Sequence, residues 1–193
     1  YQIRVAKFDN SSNWNFKEGS NRSGNNYFLT DNITGLNKSI GTCSNPMLEV
    51  FNNKLYAIWS EENTDNRTQI RVSEYNGNSS SPSWSFVDGN DANKGINKDY
   101  RNNATHPKLV VANSSLYAVW LEENGSTQVR VAQFDNSSSW TFKDGDGFDG
   151  LNVNTARVTG KASAAEYNNQ LYVAWSETND NNTTQIRVAR APF

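Results

Sequence analysis

Apolar positions along this chain come in short runs separated by stretches of Asn, Ser, Thr, Gly and Asp. No run repeats apolar residues at the i, i+3, i+4, i+7 spacing of an amphipathic helix for three turns. The runs instead alternate with period two or are apolar throughout, which predicts strands. They also recur. Asn53-Lys-Leu-Tyr-Ala-Ile-Trp-Ser-Glu-Glu62 returns as Ser114-Ser-Leu-Tyr-Ala-Val-Trp-Leu-Glu-Glu123 and as Asn169-Gln-Leu-Tyr-Val-Ala-Trp-Ser-Glu177. A Gln-Ile/Val-Arg-Val run starts at Gln2, Gln69, Gln128 and Gln185, and Trp-x-Phe occurs at Trp14, Trp84 and Trp140. The period is about 55 to 70 residues, a length at which repeats build propellers or solenoids.

Each repeat reads as four strands. Strand A follows a proline (Pro46–Phe51, Pro107–Val111), and an Asn-Asn or Asn-Ser-Ser turn leads into strand B, a hairpin signal. Strand B carries Leu55, Ala57 and Trp59 on one face and Tyr56 and Ile58 on the other, as a strand covered on both sides does. Strand C places Ile70 and Val72 opposite Gln69, Arg71 and Ser73, and strand D is the short Trp-x-Phe segment. Hairpin-linked strands followed by a longer crossover predict β-propeller blades. The order C-D, A-B-C-D twice, then A-B-C gives thirteen strands: a partial unit over 1–45, repeats over 46–106 and 107–161, and a partial unit over 162–193. Three blades and a spare strand cannot close a ring, so the expected ring is completed by other blades, in a homo-oligomer or a longer propeller. A β-sandwich is the alternative.

These repeats resemble those of bacterial surface and secreted proteins built on Leu-Tyr-Ala-x-Trp-Ser-Glu, Gln-Ile-Arg-Val and Trp-containing Asp-Gly segments. A more distant similarity is to fucose-binding propeller lectins, in which Arg, Glu and aromatic residues of adjacent blades grip the sugar. The resemblance implies a propeller in an extracellular or cell-surface protein, and a lectin-like role.

Charge and composition narrow the partners. Acids and bases nearly cancel at a net charge of −2, and no basic block offers phosphates a footprint, so nucleic acid is excluded as an expected partner. No apolar run reaches the roughly 20 residues that span a bilayer, so membrane insertion is not expected. Asn occurs thirty times, which suits turns and a polar surface. The expected function is multivalent, non-enzymatic binding of glycans or cell-surface polysaccharide, with a structural or adhesive self-assembling protein as the alternative and a glycosidase-like enzyme third.

The candidate sugar-binding residues are Arg71, Arg130 and Arg187, one per strand C, with Glu62, Glu123 and Glu177 from strand B. Guanidinium groups take hydroxyl pairs or carboxylates in bidentate fashion, and the same residues serve equally as ion pairs clamping neighbouring blades. Trp84, Trp140 and the loop residue Tyr100 add rings that stack on sugar faces. Loop aromatics Tyr27, Phe28 and Phe148 are further candidates. Asp144, Asp146 and Asp149 lie within one Gly-rich turn, a donor set that suits Ca²⁺. His106, the only histidine, precedes Pro107 and reads as a turn residue, and Cys43 is solitary. No asymmetric cluster of acids or histidine indicates catalysis.

Overall fold

The computed structural model describes residues 1–9, 13–17, 35–145, 147, 149–156 and 159–191. Among these are thirteen strands and no helix. Blade 1 contributes β1 (Ala6–Phe8) and β2 (Trp14–Phe16). Blade 2 contains β3 (Cys43–Phe51), β4 (Lys54–Glu62), β5 (Thr68–Tyr75) and β6 (Trp84–Phe86). Blade 3 contains β7 (Ala104–Ala112), β8 (Ser115–Asn124), β9 (Ser126–Phe134) and β10 (Trp140–Phe142). Blade 4 has β11 (Thr159–Tyr167), β12 (Gln170–Thr178) and β13 (Thr184–Arg190). Each blade is its own antiparallel sheet with strands in chain order. The fold is therefore a run of propeller blades, not the two stacked sheets of a sandwich.

The hairpins between the first two strands turn on Asn52-Asn53, Asn113-Ser114 and Asn168-Asn169, all at φ between 47° and 61°. Both central residues at positive φ is the turn whose twist matches that of the strands, and Asn tolerates it. The first strand of each full blade starts before the proline, at Cys43 and Ala104, three residues earlier than the sequence pattern suggests. A bulge makes this possible. Asn45 and Pro46 together oppose one position of β4, and His106 and Pro107 do the same against β8. The extra residue leaves the ladder, so the missing N–H of proline costs no cross-strand bond.

Blades pack face to face. Phe51, Tyr56, Ile58, Ile70 and Val72 of blade 2 meet Leu109, Leu116, Ala118, Trp120 and Phe134 of blade 3. The opposite face of blade 3, with Tyr117, Val119, Val129 and Val131, meets Leu171, Val173 and Trp175 of blade 4. Ile3 and Val5 cover Ala57 and Trp59 at the start of the array.

Candidate functional site

The repeated polar residues turn inward. Arg71 and Arg130 are 1% and 0% exposed and lie 3.4 Å from Asp88 and Asp144, the acids that follow strand D. Arg71 also donates to the Asp91 carbonyl at 2.8 Å and to the Lys94 carbonyl, and its guanidinium sits over the Phe86 ring. These arginines therefore lock the crossover loop onto their own blade and present no fork to a ligand. Burial pushes the carboxyls of Asp88 and Asp144 upward from the ordinary range, against the pull of the arginine charge. Arg187 is half-buried on β13, opposite Trp175.

The glutamates divide by one residue of register. Glu61, Glu122 and Glu177 are buried, and each accepts the indole N–H two residues before it, from Trp59 at 2.7 Å, Trp120 at 3.0 Å and Trp175 at 2.8 Å. Each also accepts two consecutive backbone N–H groups of the preceding crossover loop: Lys38 and Ser39, Lys98 and Asp99, Val153 and Asn154. Glu177 is thus a blade clasp, not a sugar ligand. Glu62 and Glu123 occupy the next position, where blade 4 has Thr178; Glu123 is exposed and binds the Asn103 amide at 2.9 Å.

The loops held by these glutamates share a second device. Gly35-Leu-Asn37, Gly95-Ile-Asn97 and Gly150-Leu-Asn152 each aim an Asn side-chain oxygen at a strand C amide: Ile3 and Ile70 at 2.8 Å and Val129 at 2.9 Å. The Leu or Ile just before each Asn donates its N–H to that strand residue's carbonyl. A Cβ on Gly95 would collide with the Ile70 carbonyl, which is why the approach needs glycine. This repeat is visible in the sequence, in loops whose unequal lengths hide it from self-comparison.

Trp84 and Trp140 are likewise structural. Trp84 donates to the Lys17 carbonyl at 2.7 Å and Trp140 to the Val87 carbonyl at 2.9 Å, each acceptor lying just after strand D of the preceding blade. Their rings pack on Tyr75 and Phe134. Tyr100 remains exposed on its loop with Lys94 over its ring. Of the three acids of the calcium expectation, Asp144 is committed to Arg130, and among the described residues no cluster of acids could hold a metal ion. Asp146 lies outside the described residues, as do Tyr27, Phe28 and Phe148.

A concave site lies elsewhere, where the first strands of successive blades come together around the axis. A pocket of about 400 Å³ is lined by Asn45, Pro46 and Met47, by His106, Pro107 and Lys108, and by Lys161, Ala162 and Ser163. That volume falls in the roughly 300–1,000 Å³ range of small-molecule sites. The three triplets are equivalent: each sits at the bulge of its first strand, including the shift between Thr159 and Ala162. Bulges re-aim side chains and gather beside active sites. Asn45 and His106 adopt φ of 54° and 56°, a region that Asn and His enter more readily than most residues. His106 Nδ1 lies 3.0 Å from the Thr105 hydroxyl, and the sulfur of Met47 accepts the Leu109 amide at 3.4 Å, joining two walls of the pocket. Among the described residues the lining includes two lysines and a histidine and no carboxylate-bearing residue. None of the residues singled out as sugar ligands from the sequence lines it.

No family model matches the chain, and no curated protein matches it. Solved structures do. An α-L-arabinofuranosidase from Lactobacillus brevis matches at 11% identity and TM-score 0.45, over 78% of this chain and 50% of its own. A putative glycoside hydrolase from Parabacteroides distasonis matches at 11% and 0.48, over 75% and 52%. An α-L-arabinofuranosidase from Podospora anserina, solved with cellotriose, matches at 11% and 0.45, over 91% and 50%. The chain spans about half the length of these structures. At this identity the likeness is one of fold. All three are glycoside hydrolases by description, against the expectation of a non-enzymatic, lectin-like module.

Proposed function

We propose that the protein acts on glycans as an enzyme, with a sugar residue seated in the axial pocket and His106 as the proton-transfer group. The convergence of three bulges on one pocket carries this reading, because it places a histidine and two lysines around a concavity of ligand size. Breaking a glycosidic bond requires a proton delivered to the leaving oxygen or removed beside an activating group, and histidine is the side chain most often used for such transfers. The ammonium groups of Lys108 and Lys161 favour an anionic substrate and would stabilise negative charge developing on it, which points to glycans bearing uronate or similar groups. The carboxyl pair used by most glycoside hydrolases is not in the described lining, so the histidine takes the proton-transfer role here. A location outside the cell or on its surface belongs to the same reading.

The test is incubation with neutral and acidic polysaccharides, following both new reducing ends and the ultraviolet absorbance of unsaturated uronate. The expected result is cleavage of an acidic polymer, reduced at least about a hundredfold by His106→Ala, in line with the usual contribution of an acid–base group. Lys161→Met should raise KM for the acidic polymer. Absence of cleavage on every polymer, or full activity in His106→Ala, sinks the proposal.

A further inference from the structure

The first strands β3, β7 and β11 each lie at the end of their sheet, and their free edges run past the axial pocket. The hairpin turns fix which amides those edges present. Tyr167 and Gln170 flank the two-residue turn at Asn168-Asn169 as a pair that exchanges both ladder bonds. Every second residue back from Tyr167 keeps its N–H in the ladder, and those between turn it away from β12. Ala164 is one of those turned away. The same count gives Leu109 in β7 and Val50 in β3. Both of these amides find acceptors off the ladder, Leu109 at the Met47 sulfur, 3.4 Å away, and Val50 at the Glu49 carboxylate, 2.9 Å away.

We infer that the Ala164 N–H, with the Lys108 ammonium, binds the carboxylate of an acidic sugar. Met47, Lys108 and Ser163 are equivalent, each lying two residues after Asn45, His106 and Lys161 at its bulge. Met47 of blade 2 caps Leu109 of blade 3, so Lys108 of blade 3 stands in the same place toward Ala164 of blade 4. An ammonium carries three donors and no acceptor, and lysine therefore cannot repeat the cap. Among the described residues no other group accepts from the Ala164 N–H. The boundary between blades 3 and 4 thus sets an unused sheet-edge donor beside a cation, where the boundary between blades 2 and 3 has a closed sulfur contact. Sheet edges with free amides form anion-binding concavities.

The inference rests on the axial pocket being the glycan site, and adds which groups select the charge. A carboxylate oxygen accepts from the amide while the ammonium neutralises it, and charge-assisted bonds of this sort are about twice as strong as neutral ones. A hydroxymethyl group in the same place accepts the amide bond but leaves Lys108 without a counter-charge. The asymmetry also orients the sugar, because its carboxylate binds at the blade 3–4 boundary and not at the one that Met47 closes. Ala164→Pro removes the donor alone. That N–H lies off the ladder, so no bond to β12 is lost, which is the circumstance in which an edge strand accepts proline.

Nuclear magnetic resonance of protein labelled with heavy nitrogen at alanine reads this amide without reference to cleavage. The Ala164 signal is the one missing from Ala164→Pro. Titration with D-galacturonate and D-glucuronate should move its proton downfield, whereas galactose and glucose should not. Ala164→Pro should bind the uronates at least about tenfold more weakly, with an unchanged urea midpoint. Lys108→Met restores a sulfur cap, so it should bind uronate more weakly than Lys108→Leu, which removes the charge but leaves the amide open. Uronate binding with an unmoved Ala164 amide, wild-type affinity in Ala164→Pro, equal affinity in the two Lys108 variants, or no uronate binding at all overturns the inference. A protein that binds uronate through Ala164 and cleaves no polymer loses the enzymatic reading and keeps this one.

Discussion

Glu122 accepts three hydrogen bonds inside the protein, and Gln in its place leaves at least one of the Lys98 and Asp99 amides without an acceptor. The expected cost of Glu122→Gln is about 2 kcal/mol by urea denaturation, the penalty for orphaning a buried donor. Glu123→Gln, one residue on and exposed, should stay within about 0.5 kcal/mol. Equivalent glutamates should also respond oppositely to pH. Burial raises the Glu122 carboxyl above its ordinary value, outweighing the hydrogen bonds it accepts. Burial acts upward on Glu177 too, but the bonds from Trp175 and the Asn154 and Val153 amides bring it below. A raised carboxyl keeps its proton in the folded state where the unfolded chain releases it, so its contribution falls as pH rises through that window. A lowered one contributes above the unfolded value, about 4.3 for Glu, and loses that contribution as pH falls through its folded pKa. The stability lost by Glu122→Gln should therefore shrink between acid and neutral pH, and that lost by Glu177→Gln should grow. Parallel pH trends would contradict this. Sequence alone could not separate Glu61 from Glu62 in role, since the register of both is set by which one faces the tryptophan and the incoming loop.

At the scale of the blade, the indole latch is a device that phenylalanine tests cleanly. Trp140→Phe keeps a ring against Phe134 but removes the donor to the Val87 carbonyl, with an expected loss of about 1 to 2 kcal/mol in urea. Trp14→Phe, at 66% exposure, should be close to neutral. The blades themselves were legible in the sequence, because strands B and C repeat their residues and the Asn-rich hairpin turns announce their geometry. The axial site was not. Its residues share a position rather than an identity: Asn45, His106 and Lys161 are equivalent only because each sits at a bulge, and bulges leave no fixed letter in the chain. Proline marks two of the three, and Ala162 takes its place in the last. His106 accordingly read as a turn residue, when its positive φ belongs to a strand that continues through it.

For the whole molecule, the packing between successive blades carries the stability. Blade 3 shares one buried cluster with blade 2 and another with blade 4, so it holds its neighbours on both faces and unfolds with them. Ile58 and Leu116 are fully buried where blades 2 and 3 meet, whereas Ile186 of β13 is 72% exposed. Ile58→Ala should therefore cost about 2–5 kcal/mol in urea denaturation, the usual loss for truncating a buried aliphatic side chain. Ile186→Ala should stay within about 0.5 kcal/mol. Equal losses at the two positions would mean that the contact between blades 2 and 3 contributes no more than an exposed strand does.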